Sequence, residues 1–348
     1  MRALWLVVGV MAVSGCGRTE LVDWSATVTP FDAGTDAGSR SDGGTDAGVR
    51  DAGVRDAGLP DAGPKPCIDG RFSLSPAEPV VMLVIDRSCS MDEFFPGGTV
   101  SKWDALRAAL NQTLPVVDET VQLGAVYFPI NGAEECEVPA ITALPPGFGN
   151  ADAILTTANV TEPWGSTPTS AALRVATGVL QARRTANTAR GMVLATDGEP
   201  TCTSLQTTLN DVRGALDAGV PTWVIGIESV TRPALTLALD SMAHAGGRPR
   251  IDAGSAYFPA TSPAAMVEAF ASIRDQVSAC SFLTDSVPDL DGGITVTFGN
   301  EAVPNDPSGV SGWSWTDRNN GELVLRGAYC TRAISMPQPL TVVVTCSR

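Results

Sequence analysis

Residues 80–90 read VVMLVIDRSCS, and this stretch sets the expectations for the whole chain. Its first six residues are apolar without alternation, which predicts a β-strand that helices cover on both faces. Asp86, Ser88 and Ser90 follow the apolar run at a spacing of two residues. A carboxylate and two hydroxyls are hard oxygen donors of the kind that bind small divalent cations. The stretch therefore predicts a metal site at the end of a buried strand.

Two later segments carry oxygen donors of the same kind. Thr167 lies in GSTPT at residues 165–169, and Asp197 lies in MVLATDGEP at residues 192–200. The order of the pattern is D-x-S-x-S, then a Thr, then an Asp followed by Gly. This order resembles the metal-ion-dependent adhesion site of the von Willebrand factor type A (vWA) family. The resemblance covers about residues 79–279 and implies that the three segments meet around one cation.

The resemblance also implies a role for each donor. Ser88, Ser90 and Thr167 are expected to coordinate the ion directly, and Asp86 and Asp197 directly or through water. Two carboxylates offset the charge of a divalent ion, and this donor set fits Mg²⁺, with Mn²⁺ or Ca²⁺ as alternatives. In the family, an Asp or Glu carboxylate of a protein partner replaces one bound water. From the residues alone an alternative stays open, because Asp and Ser are common turn residues and Thr167 is suited to capping a helix.

The pattern from Cys67 onward predicts the fold class. Apolar runs alternate with amphipathic stretches, which favours an α/β fold with a doubly wound, mostly parallel sheet and helices on both faces. Strands are predicted at residues 80–85, 122–128, 192–196, 222–227 and 256–258. Helices are predicted at residues 102–114, 168–183, 204–218, 232–243 and 263–279. In such sheets ligands bind outside the carboxyl ends of the strands, where Asp86 and Asp197 are expected.

The N-terminus is typical of an exported bacterial lipoprotein. Arg2 precedes an apolar run that is too short to span a membrane, and residues 13–16, VSGC, resemble a lipobox. This predicts removal of residues 1–15 as a signal peptide and acylation of Cys16; an ordinary signal with a chance cysteine is the alternative. Residues 16–66 then comprise the lipidated Cys and a tether rich in Asp-Ala-Gly. The tether is predicted to be disordered, because it has too little apolar surface to bury.

The rest of the chain divides into a vWA-like domain at residues 67–279 and a small C-terminal β-rich module at residues 280–348. Alternating apolar residues and turn dipeptides predict antiparallel strands in the module, with the alternative that they extend the main sheet. The lipid anchor predicts a cell-envelope protein. The outer membrane is favoured, on its periplasmic or surface face, because Gly17 rather than Asp follows the lipobox.

Export also predicts disulfides. Of eight cysteines, seven remain if one is acylated. Cys89 lies inside the first metal loop and Cys202 lies five residues after the Asp of the last one. If the two strands are neighbours, these loops face each other, which suggests a Cys89–Cys202 disulfide that staples the site. One further pair is expected among Cys280, Cys330 and Cys346.

Composition excludes several classes of function. The chain has 348 residues, a net charge of −15 and a pI of about 4.4, so nucleic acid is not expected as a partner. The single histidine, His244, removes most histidine-based catalysis. We therefore expect a membrane-anchored protein that is not an enzyme and that captures a protein partner through its cation. The alternatives are a metal-free envelope scaffold and a metal-assisted hydrolase with Glu199 as base.

Overall fold

The computed structural model describes residues 64–131, 136–185, 187–228, 232–250, 254–307, 310–335 and 338–347. The predicted signal peptide, the lipidation site Cys16 and all but the last three residues of the tether lie outside these ranges. The strands, in chain order, are β1 (Gly70–Ser73), β2 (Ser75–Pro76), β3 (Glu78–Asp86), β4 (Gln122–Phe128), β5 (Leu144–Gly147), β6 (Thr188–Thr196), β7 (Thr222–Ile227), β8 (Phe258–Ala260), β9 (Ser281–Leu283), β10 (Gly293–Phe298), β11 (Glu301–Val303), β12 (Gly312–Asp317), β13 (Glu322–Arg326) and β14 (Leu340–Thr345). The helices are α1 (Lys102–Thr113), α2 (Ala151–Val160), α3 (Thr169–Gln181), α4 (Leu205–Asp217), α5 (Pro233–Ala245), α6 (Pro263–Ala279) and α7 (Ala328–Ser335).

The central sheet has six strands in the order β5-β4-β3-β6-β7-β8. Every neighbouring pair is parallel except β4 and β5, which are antiparallel. From β3 the chain first adds β4 on one side and later β6 on the other, so the strand order reverses at β3. The predicted α/β class with a doubly wound, mostly parallel sheet is confirmed. The reversal leaves a crevice at the carboxyl ends of β3 and β6.

Strand β3 is buried because helices cover both of its faces. Val81, Leu83 and Ile85 pack into one core with α1, α2 and α6. The intervening residues, Val80, Met82 and Val84, pack into a second core with α3, α4 and α5. Alternate side chains of a strand point to opposite faces, so an apolar run without alternation is what two cores require.

The predicted strands and helices of the α/β domain are all present, with small differences at their ends. The sequence did not predict β5, α2 or α7. Strand β5 has the sequence LPPG, and its two prolines restrict it to the edge of the sheet, where it lies. None of the helices described is both long and apolar enough to cross a membrane.

The C-terminal module consists of two antiparallel four-stranded sheets, β1-β14-β10-β11 and β12-β13-β9-β2. It is separate from the central sheet, so the alternative that its strands extend that sheet is wrong. The predicted start of the vWA-like domain at residue 67 also needs correction, because residues 70–76 pair with β14 and β9 of the module. Two disulfides close the module, Cys67–Cys346 and Cys280–Cys330, and the second confirms the pair expected among its cysteines.

Candidate metal centre

Asp86 is the last residue of β3 and is fully buried. Its Oδ1 accepts the Ser88 N–H at 2.8 Å, and its Oδ2 accepts the hydroxyl of Thr196 at the end of β6. Burial first, and the charge of Asp197 second, raise the pKa of Asp86 to about 7. A cation bound here would therefore displace a proton as well as neutralise the carboxylate.

The loop after β3 brings its two serines to the carboxylate of the next loop. Ser88 precedes a short 3-10 turn, Cys89–Asp92, and its Oγ is 3.2 Å from Ser90 Oγ. Ser90 Oγ in turn donates to Asp197 Oδ1 at 2.7 Å. These contacts form a continuous row of oxygen atoms between the ends of β3 and β6. The structure thus brings together the residues that the D-x-S-x-S pattern and the Asp-Gly pattern singled out.

Thr167 approaches the same place from a third loop. A Cβ placed on Gly198 would lie 3.7 Å from Thr167 Oγ1 and 3.9 Å from Ser90 Oγ, so the two hydroxyls border one small space. The alternative in which Thr167 serves to cap a helix is wrong. Helix α3 begins at Thr169 after Pro168, and no side chain caps it. The Thr167 hydroxyl is therefore not a cap of α3, and it lies where it could coordinate a cation.

Lys102 is a residue of this site that sequence reasoning missed. It is the first residue of α1, and its side chain is fully buried. Its Nζ donates to Asp197 Oδ2 at 2.7 Å, to Glu93 Oε2 at 2.6 Å and to the Ser90 carbonyl at 3.2 Å. The only local signal was a cation in the first turn of a helix, where the helix dipole disfavours it. The ammonium already neutralises part of the charge that a metal would meet.

The donor set fits a hard divalent cation. Two carboxylates and three hydroxyls lie close together. No group of three or more His, Cys, Asp or Glu side chains suited to a metal occurs in the part of the chain that the structure describes. Hydroxyls and few carboxylates suit Mg²⁺, which keeps several waters. Asp86, Ser88, Ser90, Thr167 and Asp197 would hold the ion. It would supply an electrophilic centre with exchangeable coordination positions.

Arg87 holds the loops of the site together. Its guanidinium donates to the Pro129 carbonyl at 2.8 Å, to the Glu162 carbonyl at 2.9 Å and to Asn131 Oδ1 at 3.0 Å. Its backbone carbonyl accepts the Trp164 N–H at 2.8 Å. One side chain therefore links the loops after β3 and β4 and the loop before α3. The neutral oxygens that accept these hydrogen bonds hold the three loops, and with them the donors, in place.

The predicted Cys89–Cys202 disulfide is wrong, because Cys202 is bonded to Cys136. Thr201, the neighbour of Cys202, accepts the Thr167 N–H at 2.8 Å and donates its own N–H to the Thr167 carbonyl at 3.2 Å. With its loop held against Thr167 in this way, the Cα atom of Cys202 lies 5.4 Å from that of Cys136, which is a separation typical of a disulfide. A disulfide does brace the rim, but it joins the loop of Asp197 to the loop after β4.

No known family profile and no curated protein matches the sequence. The chain is similar to solved structures of bacterial surface proteins. The pilus adhesin SpaC from Lactobacillus rhamnosus GG matches with 15% identity over 78% of this chain and 40% of that chain, at a TM-score of 0.47. The PilB minor pilin from Streptococcus sanguinis matches with 16% identity over 59% of this chain and 62% of that chain, at a TM-score of 0.42.

A third similar structure is the vWF domain of the type V pili tip protein Mfa5 from Porphyromonas gingivalis. Its identity is 13% over 57% of this chain and 94% of that chain, at a TM-score of 0.43. The chain spans 40% of the length of SpaC. At these identities the similarities concern the fold alone.

Proposed function

We propose that this protein is a lipid-anchored cell-envelope protein whose vWA-like domain binds a protein partner through a divalent cation. The cation, Mg²⁺ or else Mn²⁺ or Ca²⁺, is held by Asp86, Ser88, Ser90, Thr167 and Asp197. The partner contributes an Asp or Glu carboxylate to an open coordination position. An acylated Cys16 and the Asp-Ala-Gly tether hold the domain away from the outer membrane.

The observation that carries the proposal is the row of oxygen atoms at the switch point of the sheet. Ser88 Oγ, Ser90 Oγ and Asp197 Oδ1 follow one another at 3.2 and 2.7 Å. Asp86 and Asp197 are both fully buried although each is acidic. Burying two neighbouring carboxylates is costly unless a positive charge compensates them. Lys102 compensates one, and a bound cation would compensate the other.

The same geometry favours binding over hydrolysis. Glu199, the base of the hydrolase alternative, is exposed at the rim. An exposed carboxylate lacks the burial by which enzymes commonly adapt a general base to its task. We therefore propose that the cation serves recognition.

The cation part of the proposal is tested by calorimetric titration of the full chain with MgCl₂ and MnCl₂. Ser90→Ala removes one hydroxyl donor and leaves both carboxylates and Lys102 in place. Ser241→Ala is the matched control, because its hydroxyl forms an exposed hydrogen bond within α5, to the Leu237 carbonyl at 2.7 Å. We expect at least a tenfold loss of cation affinity in Ser90→Ala and no change in the control. Equal affinities in both variants would contradict the assignment.

The partner is sought by affinity capture from a cell-envelope extract, in MgCl₂ and in EDTA. Asp86→Asn tests the site, and Asp217→Asn, which removes an exposed carboxylate at the end of α4, is the control. A partner that is captured in MgCl₂, lost in EDTA and lost in Asp86→Asn supports the proposal. Capture that persists in EDTA argues against a carboxylate bridge through the ion.

A metal-free scaffold is the second candidate function, and Lys102 is the observation that favours it. A buried ammonium 2.7 Å from Asp197 Oδ2 can stabilise this carboxylate without any metal. If calorimetry detects neither Mg²⁺ nor Mn²⁺ binding while the protein remains folded, the scaffold replaces the metal-dependent function.

The anchor is tested separately, because Cys16 lies outside the described residues. Fractionation of cells that express the wild-type protein or Cys16→Ala should find the wild type in the outer membrane and the variant in a soluble fraction. Mass spectrometry of the N-terminal peptide should find acyl chains on Cys16. An unmodified N-terminal peptide would reject the lipoprotein assignment without affecting the metal centre.

A further inference from the structure

A second site lies between the α/β domain and the module, where a cavity of about 340 Å³ opens to solvent. The α/β domain contributes β8, α6 and the segment after α5 to its walls, and the module contributes β13 and the start of α7. The disulfide Cys280–Cys330 forms part of the wall and joins α6 to α7. The volume falls within the range of small-molecule sites, roughly 300–1,000 Å³.

The charge of this cavity is opposite to the charge of the protein. Three arginines, Arg248, Arg250 and Arg326, line it, and no Asp or Glu does so among the residues that the structure describes. The chain as a whole carries a net charge of −15. Arginines gathered in one cavity of an acidic protein, without carboxylates in its lining, form a potential site for an anion.

Two of the guanidinium groups retain unused hydrogen-bonding capacity. Arg248 is only 5% exposed, and its buried Nε has no hydrogen-bond partner within the described parts of the chain. The buried Nε of Arg326 has none there either. A buried donor without an acceptor is costly, so the protein itself pairs these two guanidinium groups incompletely.

Aromatic rings and a hydroxyl orient two of the guanidinium groups, and these contacts do not neutralise their charge. Arg248 lies 4.7 Å above the Trp223 ring and donates to Thr316 Oγ1 at 3.3 Å, and Arg250 lies 5.5 Å above the Phe258 ring. Burial, and then the charge of Arg326, lower the pKa of Arg248 to about 9.

Acidic residues do occur behind the cavity wall. Glu322 is buried and close enough to Arg248 to favour its charged form, and Asp306 has the same effect on Arg326. Neither lines the cavity. They offset part of the positive charge of the arginines from outside the cavity lining.

We propose that this cavity binds a small organic anion, a carboxylate or a phosphate monoester carried on an apolar body. The arginines would bind the charged group, and Phe258, Val324 and Leu325 would contact the apolar part. Because both parts of the protein form the walls, the ligand would fasten the module to the α/β domain. The site is independent of the proposed metal centre.

The proposal is tested by titrating the full chain with benzoate and with phenyl phosphate, and with benzamide as the uncharged analogue. EDTA is present throughout, so that an anion bound to a cation at the metal centre contributes nothing. We expect binding of at least one anion and at least tenfold weaker binding of benzamide. Tighter binding of benzoate identifies a carboxylate ligand, and tighter binding of phenyl phosphate identifies a phosphate ester.

Variants then locate the site. Arg326→Gln removes one charge and keeps most of the side-chain volume, and Arg250→Gln, at a half-buried position, serves if the first variant fails to fold. Arg213→Gln, on the exposed face of α4, is the control. We expect a tenfold or greater loss of anion affinity in the cavity variants and none in the control. Failure of both anions to bind, equal binding of benzamide, or unchanged affinity in the cavity variants would overturn the proposal.

Discussion

Replacing Lys102 with methionine should destabilise the protein, and Mg²⁺ should restore part of the lost stability. Methionine has similar length and no charge, so the change removes the ammonium and leaves the chain path of α1 intact. In the wild type this ammonium is fully buried between Asp197 and Glu93, with N–O distances of 2.7 and 2.6 Å. Glu93 is 61% exposed and can be solvated, whereas Asp197 is not exposed at all.

The expected loss follows from the stranded carboxylate. Removing one partner of a buried ion pair costs about 3–5 kcal/mol, because the other charge stays buried and unpaired. For a chain of this size, each kcal/mol lowers the Tm by roughly 2–4 °C. We therefore expect Lys102→Met to lower the Tm by roughly 6–20 °C in EDTA. In MgCl₂ the loss should shrink by at least about 1.4 kcal/mol, which corresponds to tenfold tighter cation binding by the variant.

The assay is urea unfolding followed by circular dichroism, in EDTA and in MgCl₂, together with calorimetric titration. Lys65→Met is the control, because the Lys65 ammonium lies 3.6 Å from Asp285, whose side chain is 84% exposed. Such a pair contributes below about 1 kcal/mol and should not respond to Mg²⁺. A stability loss of equal size in EDTA and in MgCl₂ would refute the reasoning, since ammonium and cation would then not neutralise the same carboxylate.

Three further predictions concern the site and its frame. Because the pKa of Asp86 is raised to about 7, Mg²⁺ affinity should fall about tenfold per pH unit below that value. Without a cation, the free energy of unfolding should decrease as the pH rises from about 4 through 7, because the folded state then binds the proton more tightly than the unfolded state does. Calorimetry checks the first trend and urea unfolding the second, and a flat profile in either would contradict the prediction. Gly191→Ala should destabilise the protein by about 1–3 kcal/mol in urea without changing Mg²⁺ affinity, because the new Cβ would lie 2.5 Å from the Trp223 ring. Replacing Cys136 and Cys202 together with serine should cost about 2–4 kcal/mol, because the disulfide closes a loop of 66 residues, and an unchanged urea midpoint would show that the bridge does not form.

The donors of the metal centre could be predicted because each stands next to a strong local pattern. The apolar run of β3 fixes where the strand ends, and Asp86 comes at that end. Asp197 follows β6 in the same way, and parallel neighbours end at one edge of the sheet. Their convergence follows from topology alone and needs no detail of the loops.

Lys102 and the Cys136–Cys202 bridge could not be predicted, because both depend on paths that no local pattern encodes. Lys102 and Asp197 are 95 residues apart, and lysine side chains are almost never fully buried. The partner of Cys202 depends on how its loop crosses the loop of Thr167. Strands β1 and β2 escaped prediction for a related reason: they have four and two residues, too short for a recognisable alternation.

The internal ammonium gives a physical reason for a bound cation to attract a carboxylate. Asp86 and Asp197 carry two negative charges when ionised, whereas a divalent ion and Lys102 together carry three positive charges. The occupied centre would thus have one uncompensated positive charge at a water-accessible rim. Glu93 already contacts Lys102 and is 61% exposed, so it can neutralise this charge in the absence of a partner. A partner carboxylate that coordinates the ion directly would neutralise this charge in place of Glu93. A short bond to the divalent ion is stronger than the solvent-screened contact of Glu93 with the ammonium.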